Sequence, residues 1–241
     1  MTHITAGDMH FKALNDLVRD TADDIVVIDR CLGQRYIGSG LSHKKLVING
    51  TPGNALGAYL DGASIVVRGN AQDATGDTMN DGVICIHGCA GDATGYAMRG
   101  GTILVEGSTG YRAGIHMKAY EHRLPTLVIG GKAGSFLGEY QAGGLIVVLN
   151  LTDGDGRFSC NFCGTGMHGG KIVVRCREMP AALPPQLSVR EAAAADKAEI
   201  AGCLDQFCQA FGREREELDS LPFFVLTPNS SNPYKQLYTY R

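Results

Sequence analysis

Gly76-Asp77-Thr78-Met79-Asn80-Asp81-Gly82-Val83-Ile84-Cys85-Ile86-His87-Gly88-Cys89-Ala90-Gly91-Asp92-Ala93-Thr94 is one unit of a repeat, and the next residue, Gly95, starts another. Gly57, Gly76, Gly95 and Gly114 stand 19 residues apart, and Gly138 and Gly164 continue the series after insertions. Three residues past each Gly comes Leu60, Met79, Met98, Met117, Gln141 or Met167. A small or turn pair such as Asp81-Gly82 or Gly143-Gly144 follows in most units. Then comes an aliphatic run. Leu46-Val47-Ile48 opens the series, and Ile65-Val66-Val67, Ile84-Cys85-Ile86, Ile103-Leu104-Val105, Leu127-Val128-Ile129, Ile146-Val147-Val148 and Ile172-Val173-Val174 continue it.

Three consecutive aliphatic residues favour a strand buried on more than one face. A single unit is too small to bury that surface, but identical units stacked in register bury it along the whole axis. The expected fold is therefore all-β: a right-handed, single-stranded parallel β-helix of about seven coils. A helical or leucine-rich repeat is excluded, because a unit has no room for a helix beside its strand. The expected organisation is an N-terminal α/β cap over residues 1–44, the β-helix over 45–178, and a linker, helix and extended aromatic tail over 179–241. Two surface loops interrupt the stack, one around residues 120–125 and one around 151–158.

The ends read differently. Phe11, Leu14, Leu17 and Val18 have helical spacing, and Ile25-Val26-Val27-Ile28 reads as a strand. Gly33-Gln34-Arg35-Tyr36-Ile37-Gly38 is a turn into the stack, not a dinucleotide fingerprint, since no helix pattern follows it. Pro180, Pro184 and Pro185 mark the linker, and Ser188 with Glu191 reads as a capping box. Ile200, Leu204, Phe207 and Phe211 form a stripe that Gly212 can end, with a short helix around residues 213–219. Phe223, Phe224, Tyr234, Tyr238 and Tyr240 make the tail too aromatic for disorder. It should lie against this chain's own stack or against a partner subunit.

Composition bounds the function. The 241 residues include 33 Gly and no Trp, with a net charge of −3 and no Lys/Arg block, so nothing is built for a phosphate backbone. The N-terminus has no signal pattern and no apolar run is long enough to span a membrane, so a cytoplasmic protein with eight reduced Cys is expected. No catalytic constellation stands out, and no residue is assigned a catalytic, cofactor-binding or metal-ligating role. Cys160 and Cys163, with His168 and Cys176 nearby, are the best metal candidates, but one close pair falls short of the two that a zinc site wants. Structural thiols fit them better. His87 fits a solvated strand end, and the Met column fits a packing ladder. His116 and His168 occupy corresponding corners and could face one groove, without a carboxylate partner at fixed spacing.

The stretches 70–82, 91–101 and 110–118, extended by Gly130 to Gly144, Gly164 to Gly170 and Gly33 to Gly38, resemble the GXGXG β-helix domain of glutamate synthase. The form most similar is the separate subunit of archaeal-type glutamate synthase and N-methylglutamate synthase. The resemblance implies a non-catalytic scaffold that positions two partners. One is a glutamine amidotransferase-like subunit with an N-terminal Cys, which releases ammonia. The other is a synthase-like subunit with FMN and an iron–sulfur cluster, where a 2-oxo acid imine is reduced. It implies no cofactor in this chain, which agrees with its Met1-Thr2 start and its lack of a flavin-barrel pattern. The Cys160/Cys163 pair is not part of that pattern. A molybdenum or tungsten enzyme subunit resembling formylmethanofuran dehydrogenase, and a free-standing interaction solenoid that self-associates, are the other readings.

Overall fold

Each aliphatic run becomes the centre of a strand, because pairing with its copy one unit away satisfies its backbone and buries its side chains together. The computed structural model describes residues 1–152 and 154–230. Among these, β1 (Thr2–Thr5), β2 (Ile25–Leu32), β3 (Lys45–Thr51), β4 (Asp61–Arg68), β5 (Asp81–Ile86) and β6 (Thr102–Val105) follow one another in space as in sequence. The series continues through β7 (Thr126–Ile129), β8 (Ala142–Val148) and β9 (Gly169–Arg175), every pair parallel. Then β11 (Phe223–Pro228) pairs antiparallel with β9, and β10 (Leu187–Glu191) pairs antiparallel with β11. Three helices complete the described chain: α1 (Phe11–Asp20), α2 (Ala194–Phe211) and α3 (Arg215–Asp219). No helix among the described residues is long and apolar enough to cross a membrane.

The register aligns the triplets column by column. Leu46, Ile65, Ile84, Ile103, Leu127, Ile146 and Ile172 are successive partners, and all are fully buried. Ile48, Val67, Ile86, Val105, Ile129, Val148 and Val174 form the parallel column two residues on, also fully buried. The middle residue of each triplet points to the other face. There Leu104, Val128, Val147 and Val173 form a second core with Ile200, Leu204 and Phe207 of α2. The expected apolar stripe of that helix thus meets the sheet, and Gly212 ends it in the left-handed conformation. Val27, Val47 and Val66, in the same outward column, stay half-buried.

Two expectations are corrected, and one left open is decided. The parallel series does not open at Leu46: Val26 pairs with Leu46 and Ile28 with Ile48, so β2 is one more member of it, with β1 added outside. Ser188 and Glu191 do not cap a helix, because they lie in β10, where pairing with β11 takes up their backbone. The helix begins after Ala193, whose N–H is bonded at 2.9 Å by the Asp196 carboxylate. Phe223 and Phe224 pair with Arg175 and Val174 of the same chain. Tyr234, Tyr238 and Tyr240 lie outside the described residues.

The turns stitch the units as firmly as the strands do. Ala74, Gly76 and Thr78 all have positive φ (56°, 70° and 50°). That alternation turns successive N–H groups opposite ways. Gly76 donates back to the Leu56 carbonyl at 2.8 Å, and Thr78 donates forward to the Tyr96 carbonyl at 2.8 Å. Ala71, Ala90, Thr109 and Ala133 make a further line of parallel bridges. Side chains add to it: Asn70 accepts from the Cys89 N–H, Asp73 from the Asp92 N–H and Asp92 from the Tyr111 N–H, each 19 residues on.

Gly76 is Gly for two reasons. Its φ is disfavoured for any side chain, and a Cβ there would come within 2.3 Å of Ile103 Cδ1. Gly76→Ala should lower unfolding stability by about 1–3 kcal/mol in urea denaturation. Gly202→Ala is the contrasting case. This Gly lies inside α2 with nothing within 4 Å of a Cβ. That change should raise stability by about 0.5–1 kcal/mol. A second prediction concerns acid. Arg190 bonds Asp196 at 2.6 and 2.8 Å and holds its carboxyl down at about 2, against an ordinary 3.8. A depressed folded-state value stabilises above the ordinary value and is lost as pH falls through the folded one. Stability contributed by this pair should therefore fade between about pH 4 and pH 2, and Asp196→Asn should flatten the pH dependence of the thermal midpoint in that window.

Candidate functional site

The register that aligns the core also aligns the outward residues of the turns. Two and four residues past each corner Gly, side chains face out. In the later units the first of these columns holds Ala97, His116 and Tyr140, and the second holds Arg99, Lys118, Ala142 and His168. The second column is hydrogen-bonded in order. The Arg99 N–H donates to the Met79 carbonyl, Lys118 to Met98, Ala142 to Met117 and His168 to Gln141, at 2.8–3.0 Å. Ala97 and Ala142 are small where their neighbours are long, and a groove of about 520 Å³ results. Tyr96, His116, Tyr140, His168, Arg99 and Lys118 supply its polar lining.

The rings in this groove form a ladder. His116 stacks on Tyr140 at 5.1 Å with 12° between planes, and Tyr96 meets His116 edge-on at 5.9 Å. The His168 ring is tied to the Gly166 carbonyl at 3.1 Å. No Asp or Glu lines the groove. Neighbouring charges are treated differently. Arg112 pairs with Glu139 at 3.2 Å, and Arg123, from the first inserted loop, reaches back to Asp61 at 3.3 Å. Arg99 also borders a smaller depression of about 280 Å³, which Tyr120, Glu121 and Arg123 of that loop line. The loop thus forms one bank of the basic region. A second stack, Phe136 on Phe162 at 4.8 Å with the Arg112 guanidinium over Phe136, lies in the column on the other side of the corner Gly.

His116 and His168, singled out by sequence, do share this groove. Arg99, Lys118, Tyr96 and Tyr140 went unremarked, because nothing in their immediate neighbourhood marks them. For Arg99 and Lys118, the offset of four residues from the corner Gly, shared with His168, was the available signal.

Three of the eight thiols are buried, four half-buried and one, Cys89, exposed. Burial pushes the Cys31, Cys176 and Cys203 thiols up to about 11. Cys163 is fully buried, and its hydrogen bond with Cys160 and its burial hold it well above the ordinary thiol value. The same hydrogen bond lowers Cys160, which in turn donates to the Gly134 carbonyl at 3.2 Å. Cys176 donates to the Glu178 carbonyl at 3.1 Å, and among the described residues no three His, Cys, Asp or Glu converge as a metal site would need. His87 does not stand wholly in solvent: it lies 3.6 Å from Glu106 and edge-on to Phe211 at 5.1 Å, under the end of α2. The Met column is core, with Met79, Met98, Met117 and Met167 all buried. Gln141 continues that column with its amide inside, and its Oε1 finds no hydrogen-bond partner among the described residues.

Fold and groove together define a class: a repeat protein whose Gly-marked turns stack as regularly as its strands and carry an open groove on one side. The chain matches the GXGXG motif over residues 19–220 and belongs to that family. It is 41% identical over 249 residues to the uncharacterized protein MJ1350 of Methanocaldococcus jannaschii, a match that covers 98% of this chain and 95% of the relative. Among solved structures it resembles a chain of the formyltransferase/hydrolase complex (FhcABCD) from Methylorubrum extorquens in complex with methylofuran. The TM-score is 0.60 at 20% identity, over 83% of this chain and 71% of that one. At that identity the likeness is one of fold.

Thiol reactivity checks the placement of the cysteines. In the native protein a maleimide should label exposed Cys89 first and leave Cys31, Cys163 and Cys176 unlabelled until denaturant is added. Mass spectrometry of the labelled peptides reads the order.

Proposed function

We propose that the chain is a non-catalytic scaffold subunit of a glutamate-synthase-like complex, with its sheet and turns closed into a right-handed β-helix. It organises an amidotransferase-like subunit and a synthase-like subunit that carries FMN and an iron–sulfur cluster, and it works in the cytoplasm. The observation that carries this reading is the family match over most of the chain. The position of α2 supports a partner. This helix spans the outward face from Lys171, which bonds Glu199, to His87 under Phe211, while Val27, Val47 and Val66 beyond it stay half-buried. That leaves apolar surface next to a completed core, the composition of a protein interface.

A second reading follows from the fold likeness to the formyltransferase/hydrolase complex: the same scaffold serving an assembly that handles formyl groups. Native purification of the tagged chain from its source, with mass spectrometry of co-eluting proteins, separates the two. An amidotransferase and a flavin- and iron–sulfur-containing protein at equal stoichiometry is the expected result. Co-elution of formyl-transfer subunits replaces the first reading with the second. Glutamine hydrolysis by the purified chain alone contradicts a scaffold of either kind.

A further inference from the structure

We infer that the groove over His116 and His168 is a binding site for a small polyanion, one carrying carboxylate or phosphate groups. The argument starts from the ladder that fixes the second outward column. Lys118 donates its N–H to Met98, the residue before Arg99, so the backbones that carry the two cations lie one unit apart, about 5 Å along the stack. Like charges at adjacent rungs repel. Neither side chain has a carboxylate partner among the described residues, although the chain carries 25 acidic residues and is net negative. The acids close by are committed elsewhere: Glu139 to Arg112 and Asp61 to Arg123. Two neighbouring cations on adjacent rungs make the arrangement that an anion with two or more oxygens relieves, by accepting from both.

The rest of the groove completes the site. His116 adds a ring edge to the groove, beside the His168 ring that the Gly166 carbonyl holds in place, and the Tyr96–His116–Tyr140 ladder gives a stiff wall with little side-chain entropy to lose on binding. Ala97 and Ala142 leave the space, and a volume of about 520 Å³ suits a metabolite-sized ligand. Glu121 lines the adjoining depression, outside the groove itself. This site is independent of which complex the chain joins.

The test is calorimetric titration of the full chain, at low salt, with citrate and separately with pyrophosphate. Saturable binding of at least one is expected, with a Kd of about 1 mM or tighter, and the tighter of the two assigns the anion class. Arg99→Ala and Lys118→Ala should each weaken it about tenfold. Lys12→Ala, exposed on α1, should leave it unchanged. A second readout needs no variant: of the seven His, the ring resonances of His116 and His168 should be the ones that move during the titration. No heat from either anion at about 10 mM, or undiminished binding by the correctly folded double variant, or shifts at other His rings alone, overturns the proposal.

Discussion

The structure rests on one constraint: each unit's backbone is satisfied by the units before and after it. In the strands this is an ordinary parallel ladder. In the turns it depends on residues of positive φ at every second position, which point N–H groups alternately backward and forward along the stack. A buried backbone donor left unpaired is strongly unfavourable, so a unit that slipped by one residue would lose strand and turn bonds together. That is why the Ile and Val columns, the buried Met column and the corner Gly all keep one offset. The core is a product of the register as much as its cause.

The same constraint explains what could be read from sequence. Residues repeated in every unit were legible, because a column of six or seven copies outweighs local ambiguity. The strand at β1 was not, since Thr-His-Ile-Thr has no pattern of its own and becomes a strand only beside β2. The stretch from Leu187 to Glu191 was misread for the opposite reason. Its Ser and Glu satisfy a helix-start pattern, but a partner strand nearly 40 residues later supplies backbone bonds that the local signal cannot foresee. The groove was half legible. Its histidines draw attention as a residue type, whereas Arg99 and Lys118 acquire meaning only when the register sets them side by side.

Two faces of the sheet are used unequally. The inward columns are sealed along the whole stack, whereas the outward column is closed by α2 over the later strands and left half-open over the earlier ones. Arg175 helps hold that C-terminal cover in place. Its guanidinium bonds the carbonyls of Leu149, Glu217 and Leu218 and the hydroxyl of Ser220, with no carboxylate needed at that depth. The molecule is thereby asymmetric along its axis, with a self-covered end and an end that still offers apolar surface.

The loop at residues 119–125 has a wider implication. Five additional residues enter between β6 and β7, yet Thr109 still bonds Lys132 and Arg112 still bonds Ser135, so the next unit resumes in step. The stack therefore separates what it displays from what holds it together. New sequence can be spliced in at a turn and tied down by a single reach, as Arg123 does to Asp61, without renegotiating the core. A stack built this way can change what it presents by editing its margins, one loop at a time, while its frame stays the same.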